Sequence, residues 1–110
     1  EEIVFAGGAS KGDIWCQILS DVLGLRVKVP VVKEATALGA AILAGYGVGV
    51  YKDISQAARE LVKWDKTFVP NEENHKVYEG MYAAWREMYK AQLKLADNRV
   101  TRFMWAAPGL

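Results

Sequence analysis

Residues 3–30 run, in order, as a strand, a glycine-rich turn, a one-sided helix and a second strand. That order constrains the fold more than any other feature of the chain. Ile3-Val4-Phe5-Ala6 is a short apolar run of the kind a buried strand uses. Gly7-Gly8-Ala9-Ser10-Lys11-Gly12 then stops the strand with small residues that let another group approach the backbone. From Asp13 to Leu23 the apolar residues Ile14, Trp15, Ile18, Leu19 and Val22 recur at helical spacing on one face. Gly24 stands where a left-handed residue ends such a helix. Arg26 to Val29 alternates polar and apolar, and Pro30 closes it. The fold class is therefore α/β.

Helices dominate the remainder. Residues 34–46, Glu-Ala-Thr-Ala-Leu-Gly-Ala-Ala-Ile-Leu-Ala-Gly-Tyr, are rich in Ala and Gly and almost without charge. They predict a helix buried on most sides with close backbone neighbours, whose partner surface lies in other sequence. Asp53 caps the next helix, with Gln56 completing a capping-box pattern ahead of Ile54, Ala57, Ala58 and Leu61. Trp64 to Val69 is extended, and Pro70 breaks it. A long helix spans 72–97, with Tyr78, Met81, Tyr82, Trp85, Met88, Tyr89 and Leu95 as its apolar stripe. Glu79, Arg86, Glu87, Lys90 and Lys94 occupy the other face, and the tail from Asn98 has no clear period. Only two strands are firm, which makes a poor sheet alone. The intact sheet is expected to draw on upstream strands, and an open edge to permit self-association.

Composition narrows the function by exclusion. Charged residues make up 25% of the 110 and the formal net charge is +1, so neither nucleic acid nor an acidic membrane surface is an expected partner. A hydrophobic fraction of 52% is enough for one small domain's core. Cys16 is the single cysteine and cannot form an internal disulfide, so a reducing cytoplasm is the simplest setting. There is no leader pattern and no apolar run near the roughly 18 residues of a spanning helix. The chain opens at Glu1 directly into a strand pattern, as a fragment would.

The glycine turn is the only feature with chemical promise. A strand that turns through Gly-Gly into a helix exposes backbone N–H groups beside the positive end of the helix dipole, which suits a phosphate. Gly7 and Gly8 lack a β-carbon that would block the approach, and Ser10 or Lys11 could add a donor. The spacing fits neither the Walker loop nor Gly-x-Gly-x-x-Gly. On local pattern alone, a plain strand-to-helix turn outweighs a phosphate site. Other candidates read blandly: His75 as a solvated side chain, Cys16 as a small core residue, Asp13 and Glu34 as acids complementing helix dipoles, and the aromatic stripe as core. No acid/base pair, nucleophile or metal-ligand cluster stands out.

Several motifs in sequence are more specific than one loop. Ala6 to Gly12, then Trp15 with Gln17-Ile18-Leu19-Ser20-Asp21-Val22-Leu23-Gly24, then Val29-Pro30 through Glu34-Ala35-Thr36-Ala37-Leu38-Gly39-Ala40-Ala41, resemble the FGGY carbohydrate kinases. Thr67-Phe68-Val69-Pro70 ahead of a Tyr/Trp-rich helix, and the ending Ala107-Pro108-Gly109-Leu110, extend the resemblance over nearly the whole chain.

The resemblance implies a partial actin-like (ribonuclease H-like) ATPase domain, with residues 1–50 as its adenosine-motif unit plus buried helix and 51–110 as terminal helices and tail. It implies ATP and Mg²⁺ as cofactors, and transfer of the γ-phosphoryl group to a hydroxyl of a small polyhydroxy substrate. The substrate it points to is a linear dihydroxy-dione, with xylulose or glycerol as alternatives. Gly7 and Gly8 match the family's adenosine motif, so Gly7, Gly8, Ala9, Ser10 and Gly12 become the cofactor-binding residues. Some members place an Asn where Gly12 stands, so a side-chain contact to the base is lost here. The catalytic Asp and the sugar-binding domain are expected upstream, and this chain alone is expected to be inactive. A non-catalytic α/β interaction module is the alternative from another class.

Overall fold

The computed structural model describes residues 1–101, so the closing Ala107-Pro108-Gly109-Leu110 lies outside the described residues. The elements are β1 (Glu2–Val4), a 3-10 turn over Gly8–Lys11, α1 (Asp13–Leu23), β2 (Arg26–Pro30), α2 (Ala35–Gly47), α3 (Ile54–Leu61), β3 (Trp64–Phe68) and α4 (Glu72–Asp97). Glu1–His75 forms one compact unit and the chain from Lys76 a second.

In the first unit β2 lies between β1 and β3. β1 runs parallel to β2, with Ile3 opposite Val27, and β3 runs antiparallel, with Val27 opposite Phe68. Two parallel strands need a crossover between them, and α1 supplies it. The extended segment at Trp64 is thus a third strand. β1 ends at Val4 rather than Ala6, although the Phe5 amide still reaches the Lys28 carbonyl at 2.9 Å.

The core follows from alternation on β2. Val27 and Val29 point to one face and are fully buried against Cys16 of α1, with Ile3, Phe5, Leu19 and Phe68 packed around them. Ser20 is buried on the same face and is satisfied by the carbonyls of Leu25 at 2.7 Å and Phe68 at 3.3 Å. α1 stops at Gly24, whose φ of 64° is left-handed and whose amide returns to Ser20.

Among the described residues α2 buries only Ile42, with Leu43 and Tyr46 about half exposed and α3 packed against it. An apolar groove of about 240 Å³ opens between α2 and the sheet, lined by Val4, Ala6, Pro30, Leu38, Ile42 and Val62 among others. The capping box on α3 is half formed: Asp53 accepts from the Gln56 amide at 2.6 Å, but the Gln56 side chain turns to Glu60 instead of returning.

α4 is capped by Asn71, the residue before it, whose side chain accepts from the amides of Glu73 and Asn74, each at 3.0 Å. In the second unit the stripe is not core. Tyr82, Trp85 and Tyr89 stack on one another at 5.9 and 5.4 Å, but each stays about half exposed. Within that unit they have chiefly their own helix neighbours to pack on. No described helix is long and apolar enough to cross a membrane.

Candidate functional site

The glycine turn is built by hydrogen bonds that come from three segments. The Gly7 amide donates to the Lys33 carbonyl at 2.7 Å, which ties the turn to the segment after β2. Gly7 sits at φ 89°, ψ −175°, a region that a residue with a β-carbon avoids. Its carbonyl accepts twice from buried Ser10, from the amide at 3.1 Å and the hydroxyl at 2.7 Å. The Gly12 amide closes on Ala9 at 3.3 Å, and the Cys16 amide makes the first bond of α1, to the Gly12 carbonyl at 3.1 Å. Cys16 lies under the turn with its thiol 3.5 Å from the Ser10 carbonyl.

The amides of Gly8 and Ala9 open the 3-10 turn, and those of Asp13, Ile14 and Trp15 open α1, all ahead of the first acceptor within their helices. A β-carbon on Gly8 would meet nothing within 4 Å, and Gly8 holds no left-handed φ. This chain's own packing therefore does not demand glycine there; the bare backbone faces a space that a side chain would fill. Gly12 has an ordinary φ of −94°, and a β-carbon there would make normal contacts at 3.7 and 3.8 Å. Ala9 and Lys11 are exposed on the turn, whereas the Ser10 hydroxyl is engaged inside it.

Charged side chains flank the turn in ways no local pattern revealed. Lys33 extends its ammonium to the Pro30 carbonyl and to Asp65, both at 2.7 Å. Lys66 bonds both oxygens of Asp13, at 2.8 and 2.7 Å, where α1 begins. Lys11 pairs loosely with Glu34 at 3.5 Å. The bond from Lys33 holds the Asp65 carboxyl below its usual range, and the bond to Asp13 raises Lys66. Burial raises the Cys16 thiol, Asp13 adds to that, and Lys33 and Lys66 partly oppose it, so Cys16 is a protonated core residue.

His75 corrects the sequence reading. It is half-buried rather than solvated, with Nδ1 at 2.9 Å from the Asp21 carbonyl oxygen. Asp21 itself is buried on α1, and its carboxylate accepts from the Asn71 amide and the side chains of Asn74 and Gln17, each at 2.8 Å. These residues fasten α1 to the start of α4. Among the described residues no group of three or more His, Cys, Asp or Glu is placed to hold a metal ion.

Residues 1–48, from β1 through the turn to the end of α2, match the model of the FGGY family of carbohydrate kinases, C-terminal domain. The whole chain is 54% identical to the autoinducer-2 kinase of Enterobacter sp. (strain 638) and 52% identical to that of Salmonella paratyphi B. Residues 1–48 thus carry the pattern of the C-terminal domain of the FGGY carbohydrate kinases. It spans about a fifth of these relatives' length, 21% in both cases. Over 108 residues it is also 49% identical to the autoinducer-2 kinase of Escherichia coli O139:H28, covering 98% of this chain and 20% of that one.

Two solved structures share the fold. The ligand-bound xylulose kinase of Lactobacillus acidophilus superposes with a TM-score of 0.74 at 23% identity, over 86% of this chain and 19% of its own. Gluconate kinase from the same organism gives 0.73 at 22% identity, over 82% of this chain and 18% of its own. The α/β arrangement is thus that of FGGY sugar kinases.

Proposed function

We propose that this chain is the adenosine-side segment of an ATP-dependent carbohydrate kinase. Residues 1–50 carry the nucleotide loop and the helix packed behind it, and 51–110 supply terminal helices. The observation that carries the reading is the Gly7–Gly8 backbone ahead of α1, where a β-carbon on either glycine would meet nothing within 4 Å and the Gly8 and Ala9 amides precede the first acceptor of their turn. Gly7, Gly8, Ala9 and Gly12 would hold ATP chiefly through backbone, and buried Ser10 would keep Gly7 in its left-handed conformation. Gly12 offers no side chain to the base, so adenine selectivity here would rest on shape.

ATP supplies the transferred γ-phosphoryl group, and Mg²⁺ neutralises charge on the phosphates. The described residues offer no metal cluster, so Mg²⁺ would be held by the phosphates and by residues elsewhere in the kinase. The base that takes the proton from the attacking hydroxyl is also proposed to lie elsewhere, and this chain alone would not phosphorylate. The relatives' names support autoinducer-2 as the acceptor; its linear dihydroxy-dione form and a cytoplasmic setting are part of the proposal. A pentulose or glycerol acceptor is the second reading, since the fold is shared with xylulose kinase.

The test uses the longer polypeptide that contains this segment. ATP-dependent phosphorylation of autoinducer-2, xylulose and glycerol is measured in parallel, with a Gly8→Val variant beside the parent. The expected result is transfer to autoinducer-2, with ATP affinity falling about tenfold or more in Gly8→Val as the side chain fills the cradle. Transfer only to xylulose or glycerol would overturn the substrate. Unchanged ATP affinity in a folded Gly8→Val protein would overturn the nucleotide site.

A further inference from the structure

β3 contains an irregularity beside the glycine turn. Val29 of β2 pairs with Lys66 while Pro30 pairs with Trp64, so Asp65 is an extra residue on β3. Along a regular strand adjacent side chains point to opposite faces, and Asp65 and Lys66 could not both serve one feature. A bulge bends the strand and re-aims a side chain. Here Asp65 takes the Lys33 ammonium at 2.7 Å, and Lys66 takes the Asp13 carboxylate at 2.7 and 2.8 Å.

Those two partners bound the turn on its two sides. Lys33 contributes the carbonyl that accepts the Gly7 amide at 2.7 Å, and its side chain is mostly buried, 18% exposed. Its second ammonium bond, to the Pro30 carbonyl, pins it to the end of β2. Asp13 is the first residue of α1, directly after Gly12. Its carboxylate would repel an anion approaching the amides at that helix start, and Lys66 neutralises it. One dipeptide therefore holds the wall behind Gly7 and screens the acid beside the exit of the turn.

We propose that Asp65 and Lys66, the bulge dipeptide of β3, are positioning residues for the nucleotide loop, acting on Gly7 through Lys33 and on the start of α1 through Asp13. The proposal rests on the reading of the turn as the nucleotide site. Neither residue touches nucleotide. They set the geometry and local charge of the backbone that does, so their loss weakens ATP binding and leaves the chemical step intact.

The test again uses the longer polypeptide, with MgATP as the probe. Asp65→Asn/Lys66→Met is expected to raise KM for ATP about tenfold, with kcat and the KM for the acceptor each changed less than about twofold. Lys66→Arg is expected to restore the Lys66→Met loss. The exchanged pair Asp13→Lys/Lys66→Asp, which preserves the partnership, is expected to bind ATP better than Lys66→Asp alone. A purely structural role would lower Tm while leaving KM for ATP unmoved below the transition, and that result overturns the proposal. So does failure of both Lys66→Arg and the exchanged pair to recover affinity. The Gly8→Val variant separates the two layers. If it loses ATP affinity and the bulge variants do not, the positioning role alone is wrong; if it also keeps affinity, the nucleotide reading and this proposal fall together.

Discussion

Asp21→Ala is the substitution whose cost the structure defines best. The carboxylate is buried at 3% exposure and takes three donors, each at 2.8 Å: the Asn71 amide, Asn74 Nδ2 and Gln17 Nε2. The three do not count equally. Gln17 also donates to the Val69 carbonyl at 2.9 Å and keeps a partner, while the exposed Asn74 can turn to water. The Asn71 amide, at the exposed residue that caps α4, loses its acceptor. Losing the charge-assisted bonding to a buried carboxylate comes to about 3 kcal/mol, the upper end for one such bond.

At about 4–8 °C per kcal/mol for a unit of this size, Tm should fall by about 12–24 °C. Asp21→Asn keeps an oxygen for the Asn71 amide but sets an NH₂ against that of Asn74, and should cost about half as much. The pH dependence has a definite sign. Burial pushes the Asp21 carboxyl up, but the bonds from Asn71, Asn74 and Gln17, with His75 nearby, outweigh it and hold the carboxyl low. A depressed folded value contributes stability above the ordinary value of 3.8, and that contribution is lost as pH falls through the folded value. Thermal unfolding followed by near-UV circular dichroism, at neutral pH and then from pH 5 downward, measures both effects. A Tm for Asp21→Ala within about 2 °C of the parent would refute the role assigned to this network.

Gly24→Ala should destabilise by about 1–2 kcal/mol through its left-handed φ alone. The β-carbon would also meet the His75 ring at 2.7 Å, so the loss should shrink when His75 is replaced by Ala in the same chain, which a double-mutant cycle in urea reads directly. Cys16, fully buried with its thiol raised, should react with iodoacetamide at pH 8 at least about tenfold more slowly in the folded chain than in urea. Because that raised value keeps the thiol protonated in the fold, stability should decline as pH climbs above 9.0, and Cys16→Ala should remove that slope.

What local sequence determined is what local physics decides. The helical period of Ile14, Ile18 and Val22 marked α1, although the face it buries among the described residues is that of Cys16, Ser20 and Asp21; Gly24 ends it because glycine alone enters the left-handed region freely, and alternation at Val27 and Val29 makes β2 the core strand. The glycine turn was legible as a turn from its missing β-carbons, whereas its reading as a place for a bound group came from the family resemblance and not from local pattern. The long helix at 72–97 announced itself by period. The remainder depends on residues far apart in the chain. Asp65 and Lys66 lie in a segment whose sequence shows only an extended run, and pairing with β2 produced a bulge that turned them toward Lys33 and Asp13, 32 and 53 positions away. His75 looked solvated because nothing within its helix hinted that the last turns of α1 would lie against it, 54 positions upstream. The uncharged surface of α2 asks for partners that composition cannot locate, and within the described residues only the side bearing Ile42 is covered. Sequence sets the propensities and the bare backbone of the site; only the folded chain decides which distant charges hold that backbone in place, because electrostatic and packing energies depend on distance in space.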